Sequence, residues 1–334
     1  MARFQILCLS GGGYKGLYTA SVLRQLEEQA QRPIYECFDL IAGTSIGGIL
    51  ALGLANEREA KALEEMLKEN GPKIFSGSGV PRSAFVRGLK LFGRFLFYPN
   101  RPLYDSKPLA EAIKSEIGAE TTIGDLKRAV IVPAVNLSKG KPQVFKTPHH
   151  RNFVRDWQYA VTDVALATSA APTFFPVHEI ESELFADGGL YSNAPDHLAY
   201  HEATHFFGAD PTEIHMLSIG TTTTGLSWSS AFGRELGWFN WAYDQRLINA
   251  MMSSQQSNTD AVMRHLLGDR YIRMDSIPSS AQAQQIGLDV ASEAATKDLL
   301  AQASATVREF ASKQSIRELL SYAAPLPKFH YGAR

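Results

Sequence analysis

Cysteine, net charge and long apolar runs are all scarce in this sequence of 334 residues. Its two cysteines, Cys8 and Cys37, are too few for a disulfide framework, so we expect buried thiols in a reducing compartment. The 33 Lys and Arg balance 34 Asp and Glu, which argues against a DNA- or RNA-binding protein. The longest apolar stretch, Ile46 to Ala55, contains glycine and is too short to span a bilayer. The first residues lack the pattern of a signal peptide, so we expect a cytoplasmic protein.

What the sequence does contain is an alternation of strand-like and helix-like segments. Two short apolar runs each end in a glycine-rich turn, and a segment with helical spacing of its apolar residues follows each turn. The predicted strands are Phe4 to Leu9, Phe38 to Ala42, Ala129 to Val135 and His215 to Ile219. Such alternation predicts an α/β fold with a mainly parallel central sheet covered by helices.

The composition changes between residues 70 and 104, where six positive charges and seven aromatic residues occur without one acidic residue. If residues 84–98 form a helix, Arg87, Lys90 and Arg94 fall on one side of it, beside an apolar side. A cationic amphipathic helix suits contact with an anionic membrane surface, and a lid or a helix packed on the sheet is the alternative. No linker divides the chain, so we predict a single domain over residues 1–334. It would comprise a core of about 4–220, this basic aromatic insertion, and a helical C-terminal part of about 240–325.

The second glycine-rich turn contains the pattern G-x-S-x-G, from Gly43 to Gly47, between a predicted strand and a predicted helix. This is the context of a nucleophile elbow, in which Ser45 would lie on the sharp turn. Gly43 and Gly47 are needed there because side chains would clash with neighbouring backbone. The alternative is an ordinary glycine turn whose serine caps the helix. The motif therefore makes Ser45 a candidate nucleophile.

The first glycine-rich turn, Ser10 to Gly16, allows two interpretations. Gly11, Gly13 and Gly16 match the G-x-G-x-x-G dinucleotide fingerprint, but the acidic residue expected at the end of the next strand is missing. Alternatively, consecutive glycines expose successive backbone N–H groups, with Lys15 beside them as a cation. Such a loop could bind the oxyanion that forms when a serine attacks an ester.

A third motif, Asp187-Gly188-Gly189, ends a short apolar run and places a carboxylate before two glycines. Asp187 could face Ser45 and accept its proton. An aspartate with a pKa near ~4 is a poor base for a hydroxyl. Asp187 would therefore need either a desolvated pocket that raises its pKa or a transition state whose charge is stabilised elsewhere. On its own, Asp-Gly-Gly is more often a simple turn.

Histidines at positions 197, 201 and 205 recur at the spacing of helix turns, which is one pattern of a metal site. We predict no metal there, because no cysteine or carboxylate cluster completes a ligand set. Any of them could instead complete a Ser-Asp-His triad, since each follows Asp187 in the chain.

Together, the three motifs resemble those of the patatin-like phospholipase family in type and order, over about residues 4–220. The resemblance implies a three-layer α/β/α patatin-like fold with a mainly parallel sheet. It also implies a lipid acyl hydrolase of the phospholipase A type, which releases ester-linked fatty acids from membrane phospholipids without a metal. Ser45 would be the nucleophile and Asp187 the acid/base of a catalytic dyad. The oxyanion hole would comprise Gly11, Gly12, Gly13 and Lys15, the lysine replacing the arginine usual in the family.

Among patatin-like proteins, the chain is similar to bacterial phospholipases that a cyclic dinucleotide such as cGAMP activates in anti-phage defence. This similarity rests on the chain length, the helical C-terminal third and the amino-acid sequence of the first glycine-rich turn. It implies a cyclic dinucleotide activator, no other cofactor and peripheral association with the inner membrane when active, and it is compatible with a homo-oligomer. Two alternatives stay open: a constitutive lipase or esterase with a Ser-Asp-His triad, and a non-enzymatic, ligand-gated membrane-binding module.

Overall fold

The computed structural model describes residues 3–76, 101–222, 234–235, 237, 241, 246–283 and 285–332. Its strands are β1 (Phe4–Leu9), β2 (Leu40–Gly43), β3 (Ala129–Asn136), β4 (Lys141–Lys146), β5 (His178–Ile180), β6 (Glu183–Asp187), β7 (Ile214–Ile219) and β8 (Tyr271–Met274). Its α-helices are α1 (Gly16–Ala30), α2 (Ile46–Ala55), α3 (Ala60–Ile74), α4 (Lys107–Ile117), α5 (Val161–Thr168), α6 (Asp196–His205), α7 (Arg246–Leu267), α8 (Ser280–Ala283), α9 (Glu293–Phe310) and α10 (Gln314–Ser321). Arg87, Lys90 and Arg94 lie outside the described residues, so their membrane contact stays a prediction.

Within the described residues, the strands form one sheet in the order β5-β6-β3-β2-β1-β7-β8, with β4 paired to β3. The central strand β1 is parallel to both of its neighbours, β2 and β7. The β2–β3 and β7–β8 pairs are parallel as well. The middle of the sheet therefore runs in one direction, which confirms the predicted mainly parallel sheet. In such sheets, ligands bind outside the carboxyl ends of the strands.

Helices cover both faces of this sheet. Leu7 and Leu9 of β1 belong to a large apolar cluster with residues of α1, α2 and α3. Ile6 and Cys8, which alternate with them, belong to a second cluster with residues of α6 and α7. The predicted three-layer α/β/α fold is thus confirmed, and both cysteines are free and buried. Among the described residues, no helix combines the length and the hydropathy that crossing a bilayer requires.

The pairing of β3 explains how two turns far apart in sequence come to meet. Residues 131–136 of β3 pair with β4 along one edge, residues 129–131 pair with β2, and residues 134–136 pair with β6. A strand has two edges for hydrogen bonding, so β2 and β6 share the second edge of β3. Since β2 is parallel and β6 antiparallel to β3, their carboxyl ends approach each other opposite Val132 and Pro133. The turns that follow β2 and β6 therefore face each other.

The C-terminal part contains a strand in addition to the predicted helices. The strand β8 extends the sheet beside β7. Sequence reasoning missed β8 because Arg273 interrupts its apolar pattern. The Arg273 side chain is nevertheless buried. Its guanidinium donates to Asp275 Oδ2 over 2.8 Å and to Ser218 Oγ over 2.7 Å. Buried charge that is paired in this way is compatible with a strand interior.

Candidate active site

Ser45 occupies the sharp turn between β2 and α2. Its backbone has φ 55° and ψ −124°, an unfavourable conformation for a residue with a side chain. Gly43 and Gly47 make this turn possible, because a Cβ on Gly43 would overlap the carbonyl oxygen of Gly47, and one on Gly47 would overlap that of Leu9. The turn has the geometry of a nucleophile elbow, with the serine presented at the carboxyl end of β2.

Asp187, the last residue of β6, faces Ser45. The Ser45 hydroxyl donates a hydrogen bond to Oδ2 of Asp187 over 2.7 Å. The other carboxylate oxygen, Oδ1, accepts the N–H of Gly189 over 2.7 Å. Ser45 is 9% exposed and Asp187 is 6% exposed, so bulk water is largely excluded from the pair. In this arrangement a carboxylate can take the hydroxyl proton as the serine oxygen attacks a carbonyl carbon.

The surroundings of Asp187 change its acid–base chemistry. Burial raises the pKa of Asp187 to about 6, although the hydrogen bonds from Gly189 and Ser45 act in the opposite direction. The raised pKa makes the carboxylate a stronger base than an exposed aspartate, yet leaves it mostly ionised at pH 7. Of the two conditions under which an aspartate could serve as the base, a desolvated pocket that raises its pKa is thus present at Asp187.

The glycine loop between β1 and α1 lies beside the pair, and two of its backbone N–H groups have no hydrogen-bond acceptor among the described residues. The other N–H groups of the loop donate to carbonyl oxygens: Ser10 to Ile219 (3.1 Å), Gly11 to Asn193 (2.9 Å), Tyr14 to Leu288 (2.7 Å) and Lys15 to Gly12 (3.2 Å). No acceptor among the described residues engages the N–H groups of Gly12 and Gly13. Both glycines line the same cavity as Ser45, so their amides are available to an anion there.

Gly11 and Lys15, also predicted to bind the oxyanion, have other contacts. The N–H of Gly11 already donates to Asn193. The ammonium of Lys15 lies 3.4 Å from the carbonyl oxygen of Thr222, and Lys15 does not line the cavity. Burial lowers the pKa of Lys15, and the charge of Asp275 partly counteracts this effect. A direct role of either residue in oxyanion binding stays a prediction, and the geometry favours Gly12 and Gly13.

Two residues that sequence analysis missed support the site. Thr168 lies at the gap between β2 and β6: its Oγ1 donates to the carbonyl of Pro133 over 2.6 Å and accepts the N–H of Ser45 over 3.0 Å. Asn193 holds the glycine loop, because its carbonyl accepts the N–H of Gly11 over 2.9 Å. Asn193 could have been suspected from its place shortly after Asp187, whereas no local pattern marks Thr168.

None of the nine histidines, all of which are described, hydrogen-bonds to Ser45 or Asp187. His149 instead contacts Thr147 and Glu202, and burial lowers its pKa. The rings of His201 and His205 stack on each other with centroids 5.2 Å apart. The described residues contain no cluster of three or more side chains suited to a metal ion. The geometry thus favours a Ser-Asp pair over a triad.

A cavity with an empty volume of about 980 Å³, its open mouth included, borders Ser45 and Asp187. Most of its walls are apolar side chains, contributed by Ile46, Ile49, Leu67, Ile74, Leu109, Phe174, Phe175, Ile248, Met251, Met252 and Leu288. An apolar cavity next to a nucleophile can accommodate a hydrocarbon chain, with a few polar groups at one end to orient the reacting group.

The basic aromatic insertion begins and ends next to this cavity. Phe75, which precedes residues 77–100, lines the cavity. Tyr104, which follows them, packs edge-on against Phe75 with ring centroids 5.3 Å apart. Both rings also contact Phe175, another residue of the cavity wall. The described residues that flank positions 77–100 therefore lie beside the cavity.

Comparisons with known proteins agree with these features. Residues 7–200 match the family described as patatin-like phospholipase. A cGAMP-activated phospholipase of Pseudomonas aeruginosa is 38% identical over 331 residues, covering 98% of this chain and 95% of that protein. Proteins of the same name from Vibrio cholerae and Escherichia coli are 38% and 35% identical, each over 98% of this chain and over 96% and 95% of their own length. With its three motifs, its fold and these relatives in agreement, the chain belongs to the patatin-like phospholipase family.

Proposed function

We propose that the protein hydrolyses ester-linked fatty acids of membrane phospholipids with Ser45 as nucleophile and Asp187 as general base. The observation that carries this proposal is the 2.7 Å hydrogen bond from Ser45 Oγ to Asp187 Oδ2. In the first step, Asp187 takes the hydroxyl proton while Ser45 Oγ attacks the ester carbonyl. Asp187 then returns this proton to the leaving oxygen as the tetrahedral intermediate collapses, which releases the alcohol and leaves an acyl-enzyme. In the second step, Asp187 accepts a proton from the water that attacks the acyl-enzyme, and it passes this proton to Ser45 Oγ as the fatty acid leaves.

The negative charge on the carbonyl oxygen needs stabilisation in both steps. The spare N–H groups of Gly12 and Gly13 are the donors we assign to it, since the other amides of the loop are committed. Ser45 also precedes the first residue of α2, so the positive end of that helix dipole lies at the reacting centre. The acyl chain would occupy the apolar cavity along α2 and α3.

We propose that activity depends on a cyclic dinucleotide, which is how the relatives from P. aeruginosa, V. cholerae and E. coli are named. The similarity extends over nearly the full length of each relative, which supports a shared mode of control. Peripheral contact with the membrane belongs to the same proposal, because the substrate is a bilayer lipid. Gating of a phospholipase by a cyclic dinucleotide suits the anti-phage role implied by the sequence resemblance.

The test compares the wild type with Ser45→Ala and with Ser257→Ala, an exposed serine on α7. Each protein is incubated with phospholipid vesicles, with and without cGAMP, and released fatty acids and lysophospholipids are identified by mass spectrometry. We expect fatty acid release by the wild type and Ser257→Ala with cGAMP, and none by Ser45→Ala. Residual release by a folded Ser45→Ala would remove the nucleophile assignment. Equal release without cGAMP would leave a constitutive lipase, and vesicle leakage that survives the loss of Ser45 would favour a non-enzymatic membrane module.

A further inference from the structure

The family match covers residues 7–200. Residues that follow this range form hydrogen bonds to both the turn after Asp187 and the glycine loop. The helix α7 packs against the turn that follows Asp187, and its first half contributes Ile248, Met251 and Met252 to the cavity wall. A polar side chain of α7, Gln255, reaches the same turn. It is half-buried and lies one helical turn beyond Met251.

The carboxamide of Gln255 contacts the turn at two points. Its Nε2 donates to the carbonyl oxygen of Leu190 over 2.9 Å. Its Oε1 accepts the N–H of Asn193 over a longer 3.4 Å. A single side chain therefore bridges the two ends of the segment 190–193, and the shorter bond to Leu190 is the stronger restraint.

One end of this segment adjoins the residue that holds Asp187, and the other end holds the glycine loop. Leu190 directly follows Gly189, whose N–H donates to Asp187 Oδ1 over 2.7 Å. Asn193 accepts the N–H of Gly11, the residue before Gly12, over 2.9 Å. A shift of the segment would change the position of the base and of the oxyanion loop together. Displacements of this kind are costly in catalysis because the reacting atoms must lie in a narrow range of geometry.

We infer that Gln255 is a positioning residue, whose carboxamide fixes the segment 190–193 and thereby aligns Asp187 with the spare amides of the glycine loop. The inference rests on the proposed function of Ser45 and Asp187. It makes α7 the element that connects the cavity wall to the catalytic geometry, because the same helix carries Gln255 and three cavity residues. The hydrogen bonds of Gln255 go to the backbone of the segment and not to Ser45 or Asp187, so its effect would pass through that backbone.

The decisive variant is Gln255→Met, which keeps the bulk of the side chain and removes both hydrogen bonds. Its matched control is Asn258→Met, the same substitution at an exposed position of α7. Hydrolysis of a soluble short-chain ester and of phospholipid vesicles is measured in the presence of cGAMP, with kcat, KM, the pH profile of kcat/KM and Tm for each protein. Gln255→Ala serves as a second variant that also removes the bulk.

We expect Gln255→Met to lower kcat by roughly 10- to 100-fold with little change in KM, whereas Asn258→Met keeps the wild-type kcat. The acidic limb of the pH profile should move to higher pH, because a displaced Gly189 N–H no longer lowers the pKa of Asp187 as effectively. Both methionine variants should melt within a few degrees of the wild type, and Gln255→Ala should repeat the kinetic defect.

The outcomes separate this inference from the function on which it rests. A wild type that hydrolyses ester, together with Gln255→Met and Gln255→Ala variants that match Asn258→Met in kcat and pH profile, would overturn the role of Gln255 alone. Loss of activity in exact proportion to loss of folded protein, with an unchanged acidic limb, would assign Gln255 a structural role and also overturn the inference. A wild type without hydrolysis under any condition would refute the proposed function itself.

Discussion

The substitution Asp187→Asn should abolish activity and at the same time stabilise the protein. Asparagine has nearly the shape of aspartate, and its two polar atoms suit the existing partners. Its Oδ1 can accept the N–H of Gly189, and its Nδ2 can donate to Ser45 Oγ, so both hydrogen bonds of the site are kept. What the variant loses is a base that can accept the Ser45 proton.

The size of the stabilisation follows from the pKa of Asp187, which burial raises from 3.8 to about 6. At about 1.4 kcal/mol per pKa unit, this shift disfavours the ionised form in the folded state by about 3 kcal/mol. Because the folded-state pKa is the higher one, the folded state binds more protons between pH ~4 and ~6, and the free energy of unfolding falls as pH rises through this window. Above about pH 6 the full penalty is present, and below about pH 4 it has vanished.

We therefore expect the free energy of unfolding of Asp187→Asn to exceed that of the wild type by up to about 3 kcal/mol at pH 8. Near pH 4 the two free energies should be equal. The comparison is made by urea titration at both pH values, with the same substitution at the exposed Asp269 as a matched control. Fatty acid release by Asp187→Asn is measured in parallel and should be absent. Equal stability of the variant and the wild type at pH 8 would contradict the argument from burial, and retained hydrolysis would exclude Asp187 as the base.

Three further outcomes follow from the geometry. The kcat/KM for a soluble ester should fall below about pH 6 as Asp187 becomes protonated, and a limb near pH 4 would contradict this. Thr168→Val should lower the free energy of unfolding by about 1–3 kcal/mol and reduce kcat, because the buried N–H of Ser45 loses its acceptor. Urea denaturation measures the first effect and steady-state kinetics the second. Leu67→Trp should reduce hydrolysis of long acyl chains more than short ones, since Leu67 lines the cavity; a chain-length series measures the ratio.

Local patterns predicted the parts of the site whose geometry depends on short-range sterics. The elbow at Ser45 requires glycine at positions 43 and 47 whatever the rest of the fold does, so its motif was readable in the sequence. The strand before each glycine turn was readable for the same reason, since it is a short apolar run next to a turn signal. The alternation of strand-like and helix-like segments predicted the parallel sheet, and the order of the motifs predicted the family.

Contacts that depend on tertiary pairing could not be predicted from local patterns, and the Ser45–Asp187 contact was expected only through the family resemblance. The antiparallel strand β6 meets β2 only because both use the same edge of β3, and no periodicity in the sequence encodes that choice. Thr168 is the last residue of a helix whose placement follows from packing, so its contact with Ser45 had no local signal. The strand β8 was not predicted because Arg273 interrupts its apolar pattern. A hydropathy pattern does not distinguish a charge that is buried in an ion pair from one that is exposed to solvent.

Desolvation explains how an aspartate could serve as the base in the role we propose for Asp187. A histidine has an ordinary pKa near 6.5, which suits it to proton transfer at neutral pH. Burial brings the pKa of Asp187 to about 6, so the carboxylate approaches the basicity of an imidazole without a third residue to orient it. Its orientation comes instead from Gly189, whose N–H holds one oxygen while the other faces Ser45. Opening of the site to water would lower the pKa of Asp187 and make it a weaker base. A bound lipid that excludes water from the cavity should therefore keep the pKa raised and so favour its own hydrolysis.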